Sequence, residues 1–181
     1  MSYARILLAG WLFVMASSTA TAQDKGRVGL TMGYPSVVGV LWHVSERVAL
    51  RPEFSFNWTQ SSSESLIAAS SDFSSVGSNL SVLFFSPLRD NLKTYVAPRF
   101  AYTHTTGSSD VSRSRSDMYS IGGMFGAHYA LGQRFALFGE VGLAYSHQTG
   151  SLTTGASTPI ATSSHGDSFG TRTGVGVVLY F

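Results

Sequence analysis

The sequence predicts an all-β fold, in which residues 23–181 form an eight-stranded antiparallel up-and-down transmembrane β-barrel. Three observations predict this fold. Apolar and polar residues alternate with period two in eight separate segments. The connections between these segments are long at one end of the strands and short at the other. Aromatic residues recur on the apolar face near both strand ends, as at the two interfaces of a membrane.

The first 22 residues predict a cleaved signal peptide rather than a strand. Arg5 precedes the apolar run ILLAGWLFVMA, and Ala20 and Ala22 follow it at the A-x-A spacing of a signal peptidase site. The run is too short to cross a bilayer as a helix, which needs about 20 residues. We therefore expect an exported chain that begins at Gln23.

The first four strands are predicted at 27–34, 37–44, 48–59 and 76–85. In each, one face carries large apolar residues, while small or polar residues such as Arg51, Glu53 and Asn79 occupy the other. This is the pattern of a strand with two different surroundings. The apolar sets are Val28, Leu30, Met32 and Tyr34; Val38, Val40, Trp42 and Val44; Val48, Leu50, Phe54, Phe56 and Trp58; Val76, Leu80, Val82 and Phe84.

The last four strands are predicted at 92–104, 117–131, 135–148 and 168–181. They alternate in the same way, with glycine frequent on the face opposite the apolar residues. The apolar sets are Leu92, Val96, Phe100 and Tyr102; Tyr119, Ile121, Phe125 and Tyr129; Phe135, Leu137, Val141, Leu143 and Tyr145; Phe169, Val175, Val177, Leu179 and Phe181.

The predicted connections fall into two classes. The segments 60–72, 106–116 and 149–167 are long and rich in Ser, Thr and Gly, and we expect them to be loops. The connections at 45–47, 86–91 and 131–134 are short and lie at the opposite end of the strands. This arrangement is typical of outer-membrane barrels. The structural alternative is a soluble β-sandwich or lipocalin-like barrel. That alternative does not explain why long and short connections lie at opposite ends of the strands.

Aromatic residues on the apolar face predict two membrane-interface girdles. One lies near the long loops and the other near the short turns. The first consists of Tyr34, Trp58, Tyr102, Tyr119, Tyr145 and Phe169, and the second includes Trp42, Tyr129 and Phe181.

The final segment VVLYF carries Val177, Leu179 and Phe181 at alternating positions. With the eight strands, it resembles the small eight-stranded outer-membrane β-barrel family of Gram-negative bacteria, which includes the transmembrane domain of outer membrane protein A. In that family, such a segment is read by the barrel assembly machinery. The resemblance implies that the barrel lies in the outer membrane, surrounded by its lipids and lipopolysaccharide, and that this machinery is a partner.

Charged residues on the inward face predict a salt-bridged interior, because isolated ions in a low-dielectric environment are unfavourable. We expect the network to consist of Arg51, Glu53, Arg99, Glu140 and Arg172. With Lys93, the inward cations outnumber the anions by four to two, so the network is either a plug or a gate that would favour anions. His43 and His128 face inward near the short turns and are expected to form hydrogen bonds rather than bind a metal.

The sequence predicts no catalytic residue, cofactor or metal site. Some barrels of this size modify lipid A with a His, a Ser and a carboxylate on the outer face. Here Ser146 and His147 are adjacent, so alternation places them on opposite faces, and His104 stands on another strand.

The sequence therefore predicts a monomeric outer-membrane barrel with a structural or surface-interaction role and no catalysis. A small gated channel is the first alternative, and a lipid A-modifying enzyme is the second. The formal net charge of +2 is spread along the chain and predicts no nucleic-acid partner. The composition of the loops does not identify the partner that they would bind.

Overall fold

The computed structural model describes residues 25–35, 37–63, 69–155 and 160–181. The predicted signal peptide, residues 1–22, lies outside these ranges. None of the described residues belongs to a helix long and apolar enough to cross a membrane.

Eight antiparallel strands form a closed barrel in which each strand pairs with its neighbours along the chain, and β8 pairs with β1. The predicted all-β, up-and-down fold is therefore confirmed. Closure pairs β1 with β8 between Gly29 and Tyr34. In the long hairpins of the described residues, β3 beyond Ser55 pairs only with β4, and β8 before Val175 pairs only with β7. The strands are β1 Val28–Tyr34, β2 Val37–His43, β3 Val48–Ser63, β4 Ala69–Arg89, β5 Leu92–Ser109, β6 Ser112–Ala130, β7 Phe135–Thr154 and β8 Ile160–Tyr180.

The three segments predicted as long loops are mostly strand. Paired β-structure continues into them: β3 extends to Ser63 and β4 begins at Ala69, residues 110–111 separate β5 from β6, and β7 extends to Thr154 while β8 begins at Ile160. Strands β3 to β8 are 16 to 21 residues long, whereas a membrane crossing needs about 9 to 11. The two ends of the barrel do differ, but through long hairpins rather than long loops.

Polar side chains support these extensions across the strands. Ser74 Oγ lies 2.7 Å from Thr106 Oγ1, and Ser75 Oγ lies 3.2 Å from Thr105 Oγ1. The backbone ladder needs no apolar side chains, and threonine has a high strand propensity. Segments without apolar alternation therefore still pair as strands.

Most large apolar residues face outward, whereas Arg51, Glu53 and Glu140 face inward. Phe54, Phe56 and Ile121 are 65%, 69% and 64% exposed, whereas Arg51 and Glu53 are 1% and 3% exposed. A soluble barrel would have the reverse arrangement, because exposed apolar surface of this extent is unfavourable in water. The outer surface therefore fits a membrane, and the soluble alternative is excluded.

All nine predicted girdle residues lie on the outer face. Eight of them are exposed, and Tyr102 is half-buried with its ring 4.9 Å from the ring of Tyr119. Strand register joins several of them across the sheet, as in the pair Tyr145 and Phe169. Their position at membrane interfaces, and the role of Val177, Leu179 and Phe181 in assembly, stay predictions.

Candidate functional site: the barrel interior and its long-hairpin rim

A carboxylate on β7 is the centre of the interior network. Glu140 Oε2 accepts hydrogen bonds from Arg51 Nη2 at 2.7 Å and from Tyr95 Oη at 2.9 Å. Its other oxygen, Oε1, accepts a hydrogen bond from Arg99 Nη2. Three donors from β3 and β5 thus converge on a buried side chain, which belongs to the sixth residue of the 20-residue strand β7.

The second carboxylate completes a neutral cluster of two cations and two anions. Glu53 Oε1 lies 3.4 Å from Arg51 Nε, and Glu53 Oε2 lies 3.7 Å from Arg99 Nη2. Arg99 also donates from Nε to Ser81 Oγ at 2.8 Å. Because each arginine contacts both glutamates, the buried charges compensate one another, as ions in a low-dielectric interior must.

Small and aromatic residues shape the space around this cluster. The guanidinium carbon of Arg51 lies 4.9 Å from the ring centre of Phe138, within the range of a cation–π contact. Gly126 stands directly opposite Tyr95, where any Cβ would overlap the tyrosine ring. Glycine at this position therefore allows the Tyr95 hydroxyl to reach Glu140.

Arg172 lies outside the ion pairs that the described residues form, which corrects the prediction. It is exposed, and its Nη2 donates to Ser146 Oγ at 3.4 Å. Its strand partner is Gly142, one inward position closer to the long hairpins than Glu140. The network of Arg51, Glu53, Arg99 and Glu140 is therefore balanced and does not carry the predicted excess of cations.

A second buried cluster lies at the short-turn end. The hydroxyl of Tyr180 lies 3.1 Å from His43 Nε2 and 3.0 Å from His128 Nε2. The ring of Phe85 stacks on His43 with 5.4 Å between centroids. Both histidines therefore form interior hydrogen bonds, as the sequence predicts. Within the described part of the chain, no three His, Cys, Asp or Glu residues are arranged to hold a metal ion.

Two matching polar clusters lie on the outer face beyond the girdle of the long-hairpin end. In the first, Asp117 Oδ1 accepts a hydrogen bond from Tyr102 Oη at 2.6 Å and contacts His104 Nδ1 at 2.7 Å. These two hydrogen bonds, that of Tyr102 first, lower the pKa of Asp117.

The second cluster repeats this geometry on the next hairpin. Asp167 Oδ1 accepts from Tyr145 Oη at 2.6 Å and lies 2.7 Å from His147 Nδ1. The hydrogen bonds of Tyr145 and then His147 lower the pKa of Asp167. The side chain of His147 is 45% exposed, whereas the adjacent Ser146 is only 2% exposed and points inward, so the predicted separation of this pair is confirmed.

Our reading of the sequence misses both aspartates, although the sequence contains a signal for them. AYTHTTGS at 101–108 and AYSHQTGS at 144–151 share the pattern A-Y-x-H-x-T-G-S. Each is followed on the next strand by Asp, one further residue and an aromatic residue. The repeat identifies two equivalent hairpins, but only the register reveals that each aspartate stands opposite a histidine.

No family model matches the sequence, and no curated protein of similar sequence was found. The fold matches a crystal structure of a major outer membrane protein from Thermus thermophilus, with a TM-score of 0.58 and 13% identity over 86% of this chain and 98% of that chain. Acinetobacter baumannii CarO, with a TM-score of 0.41 and 11% identity, covers 90% of this chain and 100% of its own. CarO2 from the same organism has a TM-score of 0.43 and 14% identity, and the match covers 86% of this chain and 97% of its own.

The first of these likenesses supports the fold, and the two with lower TM-scores add no argument. The resemblance predicted from the sequence is thus confirmed at the level of the architecture, which is a closed ring of eight strands with an apolar outer face. The chain has the fold of a small outer-membrane β-barrel protein.

Proposed function

We propose that this barrel is an integral protein of the outer membrane of a Gram-negative bacterium, with a structural or surface-interaction role and an interior closed to solutes. The observation that carries the proposal is the neutral cluster of Arg51, Glu53, Arg99 and Glu140 across the barrel interior. The long hairpins would face the outside of the cell and the short turns the periplasm.

The dimensions of the barrel and the energetics of its ion pairs support the proposed closed interior. Eight strands leave a lumen just wide enough for side chains to fill. Arg51 and Glu53 are almost completely buried, and Tyr95 is 2% exposed beside them. Opening a water path here would separate ion pairs whose partners are held in place from three different strands, β3, β5 and β7.

A gated channel is the second candidate, and one observation favours it. The side chain of Arg99 is 19% exposed, whereas those of Arg51 and Glu140 are 2% and 3% exposed. Arg99 also contacts both glutamates, so it could change partners without losing ionic compensation. Because the cluster carries no net charge, such a channel would lack the anion preference that the sequence suggests.

The interaction role would belong to the long hairpins. Strands β3 to β8 continue well past the outer girdle, so they present Ser- and Thr-rich surfaces beyond the membrane. The short-turn part of the barrel is a closed ring in which β8 pairs with β1, and this supports a monomer. The barrel assembly machinery and the lipids of the outer membrane remain the partners that we propose.

Single-channel conductance of the refolded mature protein in a planar bilayer tests the closed interior. We expect a silent bilayer for the native protein, once protease protection has shown that the barrel is inserted. Glu140→Gln removes the charge of the central carboxylate and so tests whether the ion pairs control conductance. Glu46→Gln in the short turn after β2 is the matched control. Conductance steps in the native protein that change with Glu140→Gln but not with Glu46→Gln would replace the closed barrel with the gated channel.

A further inference from the structure

The two Tyr–Asp–His clusters at the long-hairpin rim form one surface. Tyr119 is the strand partner of both Tyr102 on β5 and His147 on β7, and His147 in turn stands opposite Asp167 on β8. Four adjacent strands thus carry a continuous outward row, about 15 Å across at the usual spacing between strands. The closed interior does not involve this surface.

A second basic residue accompanies each cluster. Arg115 and His165 precede Asp117 and Asp167 by two positions, so they share the outer face with these aspartates. Each also favours the ionised form of its aspartate electrostatically. Both clusters therefore combine one carboxylate with two nitrogen-bearing side chains that can face an anion.

The hydrogen bonds fix how these groups are presented. Each histidine directs Nδ1 to the carboxylate, and this turns Nε2 away from it. The tyrosine hydroxyl holds the same carboxylate oxygen and so orients the pair. The result is an ordered set of donors and acceptors beside the aromatic faces of Tyr102 and Tyr119. Arg115 lies two residues before Asp117 on the same strand face.

The height of this surface limits what can bind there. It lies just beyond the aromatic girdle, at the level of lipid headgroups rather than acyl chains. Aromatic faces next to hydrogen-bonding side chains suit a sugar, and arginine with histidine suits a phosphate. A phosphorylated sugar headgroup requires both features together.

An apolar groove crosses the outer face of β3 to β7, on the short-turn side of this surface. Its volume is about 720 Å³, and its outward-facing lining includes Pro98, Gly123 and Leu143, which are neighbours across β5, β6 and β7. Gly123 opens the groove, since a Cβ there would meet no atom within 4 Å. It follows Tyr119 by four residues, about 13 Å along the strand, a depth that an acyl chain can reach.

We propose that this rim binds the phosphorylated sugar headgroup of a glycolipid in the outer leaflet, and that the groove below it takes one acyl chain of the same molecule. The Tyr–Asp–His clusters and Arg115 hold the headgroup. The site does not depend on whether the interior is closed or gated, so the two proposals can fail separately.

Native mass spectrometry of the refolded mature barrel, released from detergent with bis-phosphorylated lipid A, tests this proposal. We expect the double variant Arg115→Gln/His147→Gln to bind lipid A about tenfold more weakly, the loss typical of one charge-assisted hydrogen bond. The control Arg134→Gln removes an arginine from the short turn before β7 and should bind as the native protein does. Heat-dependent gel mobility confirms that each variant is folded, and Arg115→Gln alone replaces the double variant if that one is not.

Two comparison ligands and a second pair of variants make the result decisive. Phosphatidylglycerol carries a phosphate without a sugar, and glucosamine 1-phosphate carries the headgroup chemistry without acyl chains; both should bind more weakly than lipid A. Gly123→Leu, which fills the groove, should weaken lipid A binding more than the control Gly139→Leu, because Gly139 also faces outward but lies nearer the short-turn end of β7.

Unchanged affinity of the rim variants for lipid A would overturn the proposal. Equal affinity of the native protein for phosphatidylglycerol and lipid A would overturn it as well. Equal affinity for glucosamine 1-phosphate would replace the lipid with a soluble phosphorylated sugar.

Discussion

The interior and the rim of this barrel use the same arrangement of donors around a carboxylate. Glu140 accepts from the Tyr95 hydroxyl at 2.9 Å and from Arg51 at 2.7 Å. Asp117 accepts from the Tyr102 hydroxyl at 2.6 Å and contacts His104 Nδ1 at 2.7 Å. The side chain of Glu140 is 3% exposed, however, whereas that of Asp117 is 31% exposed.

This difference in exposure separates two roles for the same contacts. When a buried partner is removed, no water replaces it, so the remaining charges stay uncompensated and the fold is destabilised. At the rim, water can take the place of a lost partner, so the hydrogen bonds contribute little to stability. They orient side chains that remain accessible to a ligand. The interior contacts therefore support the barrel, and the rim contacts prepare a surface.

The largest expected effect comes from Glu140→Gln. Loss of its charge leaves Arg51 and Arg99 with Glu53 as their shared anionic partner in the described network. Breaking a buried pair in this way typically destabilises a protein by about 3 to 5 kcal/mol. The free energy of unfolding from lipid vesicles in guanidinium chloride measures it. Asp117→Asn, the matched variant at the rim, should change this free energy much less, and equal losses would contradict the distinction between the two regions.

A smaller difference is expected between two tyrosine variants. Tyr95→Phe removes a buried donor to Glu140 and should lower the free energy of unfolding by about 1.5 to 3 kcal/mol, the range for hydrogen bonds to charged groups. Tyr102→Phe removes the equivalent hydroxyl at the rim, where water can replace it. Its effect should remain within about 0.5 kcal/mol, as for most surface substitutions. The same denaturant titration compares them, and a larger effect for Tyr102→Phe would reverse the assignment.

Arg172→Gln should have little effect on stability. Arg172 is exposed and contacts Ser146 rather than the two glutamates, so its removal leaves the ion pairs of the interior intact. We expect a change within about 0.5 kcal/mol in guanidinium titrations. Arg51→Gln is the control from inside the network and should be far more destabilising. If the two arginine variants were equally unstable, Arg172 would belong to the network after all.

The sequence predicts well whether a side chain points into or out of the barrel, because period-two alternation is a local property of a strand. It places Glu53, Arg99 and Glu140 inside the barrel without knowledge of any pairing. The sequence does not predict contacts between strands, because these contacts depend on the register of each strand pair. The contact of His104 with Asp117 depends on the alignment of two strands, and Arg172 misses the network by one inward position. The prediction of long loops is wrong for another reason. Backbone hydrogen bonds extend the Ser- and Thr-rich strands, and this pairing does not need an apolar pattern.

The smallest expected effect is a dependence of stability on pH at the rim. The pKa values of Asp117 and Asp167 lie below their ordinary value of 3.8, chiefly because tyrosine hydroxyls donate to the ionised carboxylates. The resulting stabilisation is fully present above pH 3.8 and is lost as the pH falls through the lowered values. In Asp117→Asn/Asp167→Asn this contribution is absent at every pH. The difference in guanidinium midpoint between native and variant barrels should therefore be small at about pH 5 and should shrink on further acidification. Titration of the interior glutamates occurs in both proteins and cancels in this difference, so a difference that does not shrink below about pH 4 would mean that the rim aspartates are not stabilised in their ionised form.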